Sequence, residues 1–235
     1  MKRITCSLLF LICLQYQSQG QVLISLLLGD KLNSDQIEFG MIGGASFSSL
    51  TQVEHERDMA AFMLGFYFDI KLKNAWSLAP SCLVVSKMGV RDMPTYATGD
   101  PSIDAVFGSG NLRRELAYIQ VPVCLRYNLK NRIYFDLGPQ VSLLREATDI
   151  FEVENGKNMG IYNRDIRDDY KRLDAGFVGG VGYSLRESKS MNFGINYYQG
   201  VVDALKNNGG SGQYNSAWYL YLTVPIGAGK AENKS

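Results

Sequence analysis

Seven charged residues fall on one side of alternating segments of this 235-residue chain: Glu38, Asp69, Lys71, Lys87, Arg126, Asp136 and Asp174. The same side of each segment carries Gly, Ser, Asn and Tyr, while the other side is apolar. Charges gathered inside a narrow barrel are poorly solvated and need one another, so the set is expected to form a network, either structural or gating an ion path. One pairing follows from spacing alone. If Leu129 opposes Ile133 across a short turn, Arg126 lies opposite Asp136, and opposite charges across two strands stabilise a sheet. An eight-stranded interior is just wide enough for side chains to fill, which favours a plug over a path.

Other chemistry is thinner. His55 is the single histidine, set between Glu54 and Glu56 and close in sequence to Ser48 and Ser49. A His with a Ser and an acid is material for a lipid-modifying enzyme, but geometry must precede any general-base assignment, and the expectation is a solvated loop side chain. Neighbouring residues of an extended loop point opposite ways, so Glu54, His55 and Glu56 do not converge on a metal. The run 207–212 reads as a flexible loop tip and not as a phosphate cradle. No cofactor is expected. Cys82 and Cys124, the cysteines beyond the N-terminal leader, are read first as packing residues.

The elements that must position these residues are strands. Phe62, Leu64, Phe66, Phe68, Ile70 and Leu72 alternate with Ala61, Met63, Gly65, Tyr67, Asp69 and Lys71, a period of two. The pattern repeats over eight segments, near 37–48, 61–72, 75–88, 118–129, 133–143, 173–185, 191–198 and 217–226. The third blurs at residues 82–85. Connections alternate in length: those near 73–74, 130–131 and 186–190 are short, and those at 49–60, 89–115, 145–172 and 202–215 are long and polar. Short turns at one end and long loops at the other are the pattern of outer-membrane barrels. Trp76, Tyr127 and Tyr183 fall near the short-turn end and Trp218 near the long-loop end, as membrane-interface aromatics would. The expected fold is all-β, a transmembrane antiparallel up-and-down β-barrel of about eight strands, with both termini periplasmic.

Lys2 and Arg3, the apolar run 4–14 and the small residues Ser18 and Gly20 predict a secretory signal over 1–20. A short periplasmic segment is then expected at 21–35, the barrel at 36–227 and a tail at 228–235. The apolar stretch 22–28 would cap the barrel or touch a periplasmic partner. Loss of Lys2 and Arg3 takes the formal charge from +1 to −1, which excludes a nucleic-acid partner that needs a basic face. The expected partners are outer-membrane lipid, the barrel-insertion machinery and an envelope or secretion-system protein.

Particular motifs add a resemblance. The run from Gln21 to Ser34, Ser86-Lys87-Met88-Gly89, Tyr118-Ile119-Gln120-Val121-Pro122, and Asp174-Ala175-Gly176-Phe177-Val178-Gly179-Gly180-Val181-Gly182 resemble the small outer-membrane barrels of Bacteroidota, the PorT-like "porin family" proteins. The resemblance implies an outer-membrane barrel of eight or so strands, some of whose relatives assist a secretion system. The chain departs from the pattern in running past Ile226 into residues 227–235 where such barrels often end on an aromatic residue.

Overall fold

The computed structural model describes residues 32–155, 158–186, 190–206 and 212–226. The expected leader, the stretch 22–28, most of the loop tip at 207–212 and the tail lie outside the described residues.

Among the described residues ten strands are formed: β1 (Ile37–Leu50), β2 (Arg57–Lys71), β3 (Trp76–Val85), β4 (Lys87–Met93), β5 (Asn111–Asn128), β6 (Ile133–Asn155), β7 (Asn158–Asp165), β8 (Leu173–Ser184), β9 (Asn192–Gly200) and β10 (Asn215–Pro225). One short helix, α1 (Pro101–Phe107), lies between β4 and β5. All pairings are antiparallel, and β1 pairs with β10, so the sheet closes on itself. β3 and β4 succeed each other as one stave between β2 and β5, and β7 pairs only with β6 beyond the ring. The result is a ring of eight staves, which leaves the barrel wall without an open edge.

The break between β3 and β4 accounts for the blurred third segment. Ser77 and Leu83 are buried, then Val85 is exposed and Ser86, Met88 and Val90 are buried. The inward positions change from odd to even, with a register shift against Leu64 and Gly65. A β-bulge does this by inserting one residue into one strand. A second register shift sits opposite Ala117 and Tyr118, where Arg145 and Glu146 are both exposed between buried Leu144 and Ala147.

Two expected loops are largely strand. β6 runs on to Asn155 and returns as β7, so most of 145–172 is a hairpin that extends the barrel; β4 and β5 likewise narrow the 89–115 loop to 94–110. The alternation continues there, with Leu112, Leu116, Ala147 and Phe151 buried. Arg113, Arg114, Glu115, Glu146 and Glu152 hide it from a hydrophobic pattern.

The outer wall and the interior invert the order of a soluble barrel. Phe62, Leu137, Phe177 and Leu173 are about 60–70 % exposed, within a broad belt that includes Leu125, Phe135, Val141, Phe193, Leu220 and Leu222. Water does not tolerate an apolar belt of that extent, whereas lipid requires it. Inside, rings fill space left by glycines. A Cβ on Gly182 would lie 2.1 Å from Cζ of Tyr134, and one on Gly194 would lie 2.6 Å from Cζ of Tyr221. Those two positions are glycine because a tyrosine ring occupies the volume.

Candidate functional site

The interior is the part of the molecule where polar groups converge, and it has three levels. At the short-turn end, register places Arg126 opposite Asp136 on β5 and β6, and Glu38 opposite Asp69 on β1 and β2. Arg126 donates from Nε to Oδ1 and from Nη2 to Oδ2 of Asp136, both at 2.8 Å, and from Nη1 to Asp69 at 2.9 Å. Its guanidinium lies 3.9 Å from the centre of the Tyr134 ring. The Tyr221 hydroxyl donates to Asp136 at 3.2 Å, and the Tyr67 hydroxyl to Glu38 at 2.7 Å. The planar fork of Arg126 thus meets two carboxylates and an aromatic face, a geometry that a lysine could not reproduce.

Four of the seven expected residues, Glu38, Asp69, Arg126 and Asp136, come together in this way. Lys71 stands at the rim, where a mouth of about 300 Å³ is lined by Glu38, Asp69, Lys71, Arg126, Asn128 and Asn192. Asp174 is buried apart from them, accepting from Tyr198 and from Asn215, each at 3.0 Å. Lys87 is a correction. The bulge at Val84 reverses the faces, so Lys87 points outward and bonds Glu115 at 2.6 Å with its side chain half exposed.

The second level is polar: Gln140 donates to Ser142 and to the Tyr219 hydroxyl, Gln120 is fully buried beside them, and Asp174 lies across from Ser142 on β8. The third is apolar, with Leu50, Met63, Met88, Val90, Leu116 and Leu144 packed as one cluster with Ile166 and Tyr170. The expectation of a polar inner face fails at these positions of the long-loop half, while Ser46, Ser48, Asp174 and Asn215 keep it polar elsewhere in that half. Beyond the mouth, the side chains on the axis are almost wholly buried.

Sequence reasoning missed a second ionic cluster above that plug. Arg114 pairs with Asp149 through two bonds of 2.7 and 2.6 Å, in register across β5 and β6. Tyr96 donates to Asp149 at 2.8 Å, Arg114 reaches the Tyr170 hydroxyl at 3.2 Å, and Tyr170 donates to Gln213 at 2.6 Å. The rule that paired Arg126 with Asp136 would have found Arg114 and Asp149 had the strands been drawn through the bulge. Nearby, Asp100 caps α1 and Pro101 opens it. The Thr98 N–H and hydroxyl, each 2.7 Å from Asp104, hold that carboxyl below the usual range, and Ser102 does the same for Asp100.

His55 is not simply solvated. Its Nε2 is 3.1 Å from the Ser49 hydroxyl and its Nδ1 is 2.7 Å from the Val53 carbonyl. A carbonyl at Nδ1 assigns the proton there, leaving Nε2 to accept from Ser49. Asp58 approaches the same nitrogen as Ser49, at 3.5 Å, so His55 does not bridge the two as a relay, and the contacts clasp the 51–56 loop. Cys82 pairs with Phe66 on the outer face while Cys124 is buried inside, and both are free thiols. Trp76 packs on Tyr127 and Trp218 on Tyr197, each with ring centres 4.7 Å apart, and Tyr183 on Phe193 at 5.5 Å. Trp76 and Tyr127 lie at the short-turn ends of β3 and β5, and Trp218 lies towards the long-loop end of β10.

The family described as outer membrane protein β-barrel domain matches residues 15–206. The chain belongs to this family. Membership places the barrel in the outer membrane, and the apolar belt is the surface it presents to that bilayer. Solved barrels similar to this outer-membrane barrel include Ail, the attachment invasion locus protein of Yersinia pestis, in complex with the heparin analogue sucrose octasulfate, at 9 % identity and TM-score 0.45, covering 80 % of this chain and 97 % of that one. Neisserial surface protein A matches at 10 % identity and TM-score 0.40, over 80 % and 96 %. The N-terminal barrel domain of Pseudomonas aeruginosa OprF matches at 10 % and 0.29, over 79 % and 97 %. No curated protein matches the chain.

Proposed function

We propose that this outer-membrane barrel is a closed scaffold with a structural, assembly or secretion-accessory role in the cell envelope. The observation that carries the reading is the filled interior: Arg126 and Asp136 under Tyr134 and Tyr221, then Gln120 and Gln140, then the apolar cluster around Met88 and Leu116. An ion crossing it would have to break a paired charge network and then enter an apolar layer, where unpaired charge is strongly disfavoured. The short turns and both termini face the periplasm in this reading, and the hairpin of β6 and β7 extends outward with the loop of α1, where an envelope partner would meet it. Kinship with the PorT-like barrels of Bacteroidota, supported by the motif from Asp174 to Gly182, agrees with an accessory role. A passive pore draws only on the polar mouth, and a lipid-modifying enzyme only on the contact of Ser49 with His55. The reading is tested by solute flux into proteoliposomes. The scaffold predicts no swelling above empty vesicles with ions or small sugars; swelling that depends on the folded barrel would refute it.

A further inference from the structure

The outer wall is not uniform. Two ridges of outward side chains cross it from β6 to β1 and leave an apolar groove of about 790 Å³ between them. The lower ridge follows one row of partners, Ile133, Tyr183, Phe193, Leu222 and Gly43. The upper ridge is Val181, Ile195 and Leu220, and the floor is the backbone of Gly182, Gly194, Tyr221 and Gly44, whose side positions face inward. The row begins at Ile133, the first residue of β6, and ends at Gly43, well inside β1, so the groove climbs from the short turns into the apolar belt. Its upper end is open because β1 offers a glycine where its neighbours offer Leu and Phe. Sterics do not demand that glycine: a Cβ on Gly43 would meet only ordinary contacts of 3.5 and 3.7 Å.

The lower end meets positive charge. Arg132 precedes Ile133 and bonds the Leu185 carbonyl at 3.0 Å, tying the turn after β5 to the turn after β8. A second depression of about 340 Å³ lies there, lined by Leu185, Met191 and Val224 with Arg186 and Ser190 on its rim. The described charged residues of these two turns are Lys130, Arg132 and Arg186, all basic. Arginine guanidinium groups are suited to phosphate, and basic clusters at the membrane surface hold anionic headgroups.

We propose that the wall binds one anionic glycerophospholipid, with an acyl chain in the groove below Gly43 and its phosphate at Lys130, Arg132 and Arg186. The groove is continuous with the lipid-facing belt, so lipid is the occupant already against it, and the charge selects which lipid stays. The site is independent of whether the lumen conducts.

Native mass spectrometry of the full chain in mild detergent, titrated with phosphatidylglycerol and with phosphatidylcholine of the same acyl chains, reads this directly. The expected result is one retained phosphatidylglycerol per barrel, bound at least about tenfold more tightly than phosphatidylcholine. Replacing Lys130, Arg132 and Arg186 together by Gln should abolish the preference, and Gly43→Leu should weaken retention of both lipids by filling the groove. Heat-modifiable gel mobility checks that each variant is folded, and the turn variant, lying outside the wall, stands in if Gly43→Leu does not fold. Equal retention of the two lipids, unchanged binding in the variants, or a second copy of the chain at the groove in place of lipid overturns the proposal.

Discussion

Arg126 and Asp136 face each other across β5 and β6 and share two parallel hydrogen bonds of 2.8 Å, with both side chains almost fully buried. Breaking such a pair outright costs about 3–5 kcal/mol, and Asp136→Ala leaves Arg126 only its single bond to Asp69 at 2.9 Å. Asp136→Ala should therefore lower the thermal midpoint of the barrel sharply, read from heat-modifiable mobility in mild detergent. The triple variant Arg126→Met, Asp136→Leu and Asp69→Asn should recover much of the loss, since it also removes the second carboxylate that Arg126 holds, and replacing all the charges of a buried cluster by neutral groups is often close to neutral.

Lys87 supplies the contrast. It faces outward, half exposed, and its bond to Glu115 is a surface salt bridge worth at most about 1 kcal/mol. Lys87→Ala should leave the thermal midpoint nearly unchanged; a loss comparable to that of Asp136→Ala would return Lys87 to the interior.

The ring of Tyr134 occupies the space above Gly182. Gly182→Val should destabilise the barrel by about 1–3 kcal/mol through overpacking, and Tyr134→Leu in the same chain should relieve part of it. A purely additive double-mutant cycle would show that the two positions do not touch.

Asp104 gives a pH dependence confined to the external loop. Its carboxyl is held below its ordinary value by the two Thr98 bonds, so the ionised form stabilises the 98–108 segment above the unfolded value of about 3.9. That stabilisation disappears as pH falls through the lower folded value. Hydrogen exchange in 98–108, corrected for intrinsic rate, should be flat from pH 7 to 5 and rise only in more acid solution. Asp104→Asn should reduce the acid dependence to the part that Asp100 contributes through Ser102.

The alternation of the strands and the pairing of Arg126 with Asp136 were legible in the sequence because both follow from a strict period of two and a short turn. The reading failed where one extra residue entered a strand. The bulge at Val84 turned Lys87 outward, and the one at Arg145 and Glu146 concealed the pairing of Arg114 with Asp149. A one-residue slip exchanges the faces of all that follows, and nothing in composition marks it. The Ser49 contact of His55 was hidden for a different reason: it depends on a loop turning back on its own strand.

The account rests on a lumen closed at three levels. Planar-bilayer recording of the refolded barrel, in 1 M salt (about 3 Å Debye length, which suppresses surface electrostatics), tests it most directly. The closed barrel predicts a baseline without steady unitary current, unchanged in Lys87→Ala. A stable open conductance in the wild-type chain, abolished by Arg126→Ala, would contradict it.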